Sequence, residues 1–133
     1  MAFYILFICV VFCIFMSLRV LFLPRSIRGN PVSLENFFML AMLYATIMIG
    51  FGLLFMMLEM KGFLLIVDAS ESDHISFFTQ LETYIYFSGM TLFSVGYGDI
   101  TPIGIGRLLA ITEALLGHTI AAAFVARAVF DRN

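Results

Sequence analysis

Tryptophan is absent from this chain and charge is scarce, with seven basic and nine acidic residues in 133, or 12% charged. A water-soluble domain of this length must cover its core with polar surface. A chain that is 62% hydrophobic, with 16 phenylalanines and 9 methionines, has too little polar surface to do so. The solvent that suits it is a lipid bilayer. A net charge of −2 with scattered basic residues excludes an electrostatic nucleic-acid surface, so no nucleic-acid partner is expected. Cysteine occurs twice, at Cys9 and Cys13, four apart on one face of an apolar run and too far apart along it for a good disulfide; compartment cannot be read from them. Catalytic constellations are lacking too. His74 stands alone in a polar stretch, no Ser/His/Asp or metal-ligand spacing appears, and the glycine-rich segment has no Gly-Lys-Ser/Thr to cradle a phosphate. No enzyme and no cofactor are expected.

What is present is three apolar stretches. Residues 2–23 are interrupted only by Ser17 and Arg19, residues 36–58 form the second stretch, and residues 105–130 the third, which carries Arg107, Glu113, His118 and Arg127 but no breaker after Gly106. About 20 such residues cross a bilayer as a helix, so three transmembrane helices are expected. The first is too long for a signal-peptide core, lacks a basic start and precedes no small-x-small cleavage site. The segment from Pro24 to Pro31 is a basic turn holding Arg25 and Arg28, and Ser33 is placed to cap the second helix. With Arg127 and Arg132 after the third stretch, the arginines predict a cytoplasmic C-terminus and an outside N-terminus, in a multi-pass protein of the cell membrane. Between the second and third stretches lie Glu59, Asp68, Glu71, Asp73, Glu82 and Asp99 against a single Lys61. That balance reads either as an acidic outer vestibule concentrating cations or as an ordinary solvated loop.

The predicted organisation is a first helix and basic loop over residues 1–34, then a module over 35–133. Within the module come an outer helix (36–58), an outer loop (59–75), a helix too short to span (76–93), a glycine-containing segment (94–99) and an inner helix (105–130). Irregular backbone at membrane depth survives only where protein buries it or it lines a water-filled path, which makes the short helix and its return a re-entrant loop.

At Thr91-Leu92-Phe93-Ser94-Val95-Gly96-Tyr97-Gly98-Asp99 the chain resembles the pore signature of the microbial potassium-channel family, whose members carry a two-helix pore module; here an extra N-terminal span precedes it. The likeness extends to Tyr86-Phe87-Ser88 before the segment and Ile100-Thr101-Pro102 after it, and covers about residues 77–130. It implies an all-α membrane protein with the potassium-channel pore fold: three transmembrane helices, a re-entrant pore helix and a selectivity filter. It also implies a homotetramer, each chain joining three identical subunits so that four loops close a ring, conducting K+ passively. A dehydrated ion needs several oxygens at once, so successive carbonyls must face one axis, and Gly96 and Gly98 supply the dihedral freedom for that. The implied ligands are the carbonyls of Ser94, Val95, Gly96 and Tyr97 with the Ser94 hydroxyl, Gly98 and Asp99 forming the outer end. Val95 and Tyr97 side chains are expected to pack behind the filter. The C-terminal dipole of the pore helix would favour a cation in the central cavity.

Several positions depart from the family pattern. Ser94 stands where threonine is commonest, Phe93 replaces a small hydroxylated residue, and Met90 occupies a site where some relatives place a carboxyl that bonds the Asp99 equivalent. A weakly selective cation channel, and a non-conducting accessory subunit of a channel assembly, therefore stay as alternatives. Gly117, eleven residues after Gly106, resembles the flexible glycine of inner helices, though a small residue allowing close packing reads equally well. Glu113 is expected as a neutral or hydrogen-bonded strut, with ion contact the other reading; His118 is expected either in the cavity or packed. No helix repeats Arg or Lys at every third position, so no voltage sensor is expected. The sequence stops soon after the third stretch, so gating is expected from the filter, the inner helix, lipid or a separate regulatory subunit.

Overall fold

The computed structural model describes residues 2–22, 34–68 and 76–130. The basic turn with Arg25 and Arg28, the cap at Ser33, the acidic Glu71 and Asp73, His74 and Arg132 lie outside these residues, as does the side chain of Arg127.

Four helices carry the fold: α1 (Ala2–Phe22), α2 (Leu34–Glu59), α3 (Phe77–Leu92) and α4 (Gly106–Phe130). Two of them are long and apolar enough to cross a membrane, over Phe37–Glu59 and Gly106–Ala126, and most of each is unburied within the single chain. In lipid, apolar burial alone does not hold helices together, so close approach at small residues and hydrogen bonds must do it. α2 is the central element. On one side Val10 and Ile14 of α1 are buried, with Ile14 lying against Gly50; at the start of α1 the Lys61 ammonium sits 5.4 Å from the Tyr4 ring centre. On the other side Gly52 lets the backbone of Ile85 in α3 come within van der Waals reach. Beside it Phe55 and Phe87 meet edge to face at 5.1 Å.

α4 buries one stripe, namely Gly106, Ala110, Glu113, Gly117 and Ile120, spaced alternately four and three apart, with Glu113 and Gly117 against α3 and Gly106 against Leu65. The other side of α4 leaves Leu108, Ile111, Leu115 and Val125 exposed on the single chain.

The expectation of a wholly helical chain needs one correction. β1 (Ile66–Asp68) and β2 (Ile100–Pro102) form an antiparallel ladder pairing Ile66 with Pro102, Val67 with Thr101 and Asp68 with Ile100. The Ile103 amide extends it by donating to the Leu65 carbonyl at 2.8 Å. Strands of three residues are too short to show an alternating pattern. The ladder ties the segment after Asp99 to the segment after α2.

Candidate functional site

α3 ends in a Schellman motif. Ser94 has φ +55, its amide donates to the Thr91 carbonyl at 3.0 Å, and the next amide, Val95, donates to Met90 at 2.9 Å. Glycine usually takes this left-handed position. Ser94 is the one non-glycine residue with positive φ among the described residues, where a side chain costs about 1–2 kcal/mol. The Gly96 amide also reaches the Met90 carbonyl, at 3.3 Å. Left-handed backbone recurs at Gly96 (φ +54) and Gly98 (φ +80), alternating with Val95 and Tyr97. Three of the segment's amides, those of Ser94, Val95 and Gly96, are therefore spent on the end of α3. Among the described residues, none of the carbonyls of Ser94, Val95, Gly96 and Tyr97 accepts a hydrogen bond. A strip of unpaired backbone oxygens on alternating dihedrals is an arrangement that can coordinate a desolvated cation.

The C-terminal end of the segment is held by Asp99. Its carboxylate accepts from the Tyr86 hydroxyl at 2.8 Å and from the Ile100 amide at 3.0 Å, so Tyr86 in α3 supplies the partner that Met90 does not. That hydrogen bond raises the Tyr86 hydroxyl pKa above its ordinary 10.0. Asp68, Glu82 and Asp99 line one cavity of about 570 Å³ with Thr79, Thr83 and Tyr86.

At the N-terminal end of the segment Phe93 stacks on Tyr44 of α2, ring centres 5.2 Å apart and planes 12° from parallel. The Tyr44 hydroxyl donates to the Gly117 carbonyl at 2.6 Å. Gly117 has its own close contact, because a Cβ there would lie 1.9 Å from the Leu92 carbonyl oxygen. The space is taken by backbone at the end of α3. Gly106 is alike, since a Cβ there would lie 2.2 Å from the Leu65 oxygen. The side chains of Val95 and Tyr97 are exposed on the single chain, at 51% and 74%, so their own chain does not pack them.

Behind α3, Glu113 is wholly buried and its Oε1 is hydrogen-bonded to the Ser88 hydroxyl, which also lies 2.8 Å from the Met48 carbonyl of α2. His118 lies on the exposed side of α4. Reading the sequence missed Tyr44, Ser88 as a joint between helices, and Gly106 as a contact. The signal for Tyr44 was available: a lone phenol in an apolar span needs a hydrogen-bond partner.

Residues 52–129 match the ion channel family. The chain is 40% identical over 115 residues to Protein LctB of Bacillus caldotenax, covering 86% of each chain, and 44% identical over 104 residues to Protein LctB of Geobacillus stearothermophilus, covering 78% of each. No solved structure matches. With more than half of its residues in the family's pore module, in two membrane-capable helices and the short helix and loop between them, this chain belongs to the ion channel family.

Proposed function

We propose that this chain is the subunit of a potassium-selective channel in which four copies surround one axis and conduct K+ passively across the cell membrane. The single observation that carries this reading is the backbone of residues 94–98, with left-handed residues at alternate positions and four successive carbonyls left unpaired. One chain offers a single strip of oxygens, and surrounding a bare ion takes several strips, which is the case for three further identical subunits. In that assembly α3 is the re-entrant pore helix, and Val95 and Tyr97, uncovered on their own chain, pack against a neighbour. The exposed stripe of α4 meets the adjacent subunit or the central cavity, His118 with it. α1 is the third span, contacting lipid, with the N-terminus outside and the C-terminus in the cytoplasm as the arginines favour.

The test is flux from liposomes holding only the purified protein, driven by a potassium gradient, with sodium in parallel and barium as blocker. Potassium flux without sodium flux, blocked by barium, is expected. Equal sodium flux would replace the proposal by a weakly selective cation channel. Silence of a verified tetramer would replace it by a non-conducting subunit.

A further inference from the structure

One hydroxyl sits between two acceptors at the centre of the helix packing. Ser88 Oγ lies within hydrogen-bonding distance of the Met48 carbonyl on α2 and of Glu113 Oε1 on α4. A serine hydroxyl has one hydrogen and can donate to only one of them. Were Glu113 ionised, the carboxylate would claim that hydrogen, and the 2.8 Å contact with Met48 would set lone pair against lone pair. The second carboxyl oxygen, Oε2, would then carry charge while buried with no hydrogen-bond partner. Among the described residues no basic side chain pairs with Glu113. An unpaired buried carboxylate is among the costliest groups a protein interior can hold. A single added proton resolves every contact. Glu113 Oε1–H donates to Ser88 Oγ, the Ser88 hydroxyl donates to the Met48 carbonyl, and Oε2 is left as a neutral carbonyl.

We propose that Glu113 is a protonated positioning residue whose proton directs a relay, Glu113 to Ser88 to Met48, fastening α3 to both neighbouring helices. Ser88 lies about one turn before the end of α3, and at that end Leu92 and Phe93 rest on Gly117 and Tyr44. The relay therefore fixes the depth of α3 against α4 at Glu113, and the Gly117 contact fixes it again one turn further along the same stripe. The protonation stands on the contacts alone; its effect on selectivity rests on the pore reading.

Infrared difference spectroscopy of the reconstituted full chain at neutral pH reads the proton directly. Wild type minus Glu113→Gln is expected to contain the C=O stretch of one protonated carboxyl per chain. In Ser88→Ala that band is expected to persist at higher frequency, having lost its acceptor. This second variant serves equally if Glu113→Gln fails to fold. Carboxylate bands with no protonated C=O stretch would overturn the relay. In the flux assay Glu113→Gln, whose amide donates in place of the acid, is expected to keep the wild-type ratio of potassium to sodium flux. Glu113→Ala is expected to lower that ratio about tenfold, the factor a lost hydrogen bond of ordinary strength gives. A Glu113→Gln variant as impaired as Glu113→Ala would also overturn it. A protonated carboxyl in a protein without flux would remove the pore reading and leave the relay; flux with an ionised Glu113 would do the reverse.

Discussion

Replacing Gly117 by alanine sets two effects of opposite sign against each other. In a free helix the change stabilises by about 1 kcal/mol, because glycine gives up more backbone freedom on folding. Here the new Cβ would stand 1.9 Å from the Leu92 oxygen and 2.9 Å from its carbon, where an ordinary contact is 3.4–4 Å. Both obstacles are backbone, so no rotamer change relieves them, and α3 and α4 must separate by about 1.5 Å, an overpacking that costs about 1–3 kcal/mol. The movement also pulls the Gly117 carbonyl from the Tyr44 hydroxyl, a hydrogen bond worth about 1 kcal/mol. The clash wins, with a net loss of about 1–3 kcal/mol per chain. Gly117→Ala should therefore melt at lower temperature than wild type, followed by helical circular dichroism in detergent. Gly50→Ala is the control, since its Cβ meets side-chain atoms of Ile14 and Val10 and no backbone. A Gly117→Ala protein that melts at or above the wild-type temperature would refute the close contact. Lowered open probability with unchanged stability would mark Gly117 as a hinge instead.

Gly96→Ala has no neighbour to strike, since nothing lies within 4 Å of its Cβ, so any loss comes from φ +54 alone. We expect a cost of about 1 kcal/mol, read as a melting temperature lower by a few degrees, and reduced potassium flux in liposomes. Phe93→Ala removes the stacked ring from Tyr44 and should cost about 0.5–1.5 kcal/mol beyond its lost contact area, read by thermal melting, with Phe93→Tyr close to wild type. The Tyr86 hydroxyl should ionise at higher pH than an ordinary tyrosine because it donates to Asp99. Its folded pKa is raised, so the tether's contribution is complete below pH 10.0 and is lost as pH rises through the folded value. Phenolate absorbance should appear at lower pH in Asp99→Asn, and an unchanged titration would remove the tether.

The left-handed backbone of residues 94–98 and the two long apolar helices were legible in the sequence because each is a local property. Apolar length marks α2 and α4, and the residue types at 94–99 are those that permit alternating dihedrals. The contacts that hold the segment were not legible, because they join distant parts of the chain. Tyr44 and Gly117 are 73 residues apart, Met48 and Ser88 are 40 apart, and the strands that pair Asp68 with Ile100 are too short for any periodicity. Phe93 drew notice as a bulky departure from the family pattern, but only the fold shows the tyrosine that receives it.

By itself, then, the sequence determined the solvent, the two long apolar helices and the backbone freedom of residues 94–98, since composition and backbone freedom act over neighbouring residues. Only the tertiary structure decided that Gly117 is a backbone contact, that Tyr86 holds Asp99, and that Glu113 is buried against Ser88. In lipid, where apolar burial does not drive helices together, such close contacts and hydrogen bonds select one packing among many, and they exist only once the helices have met.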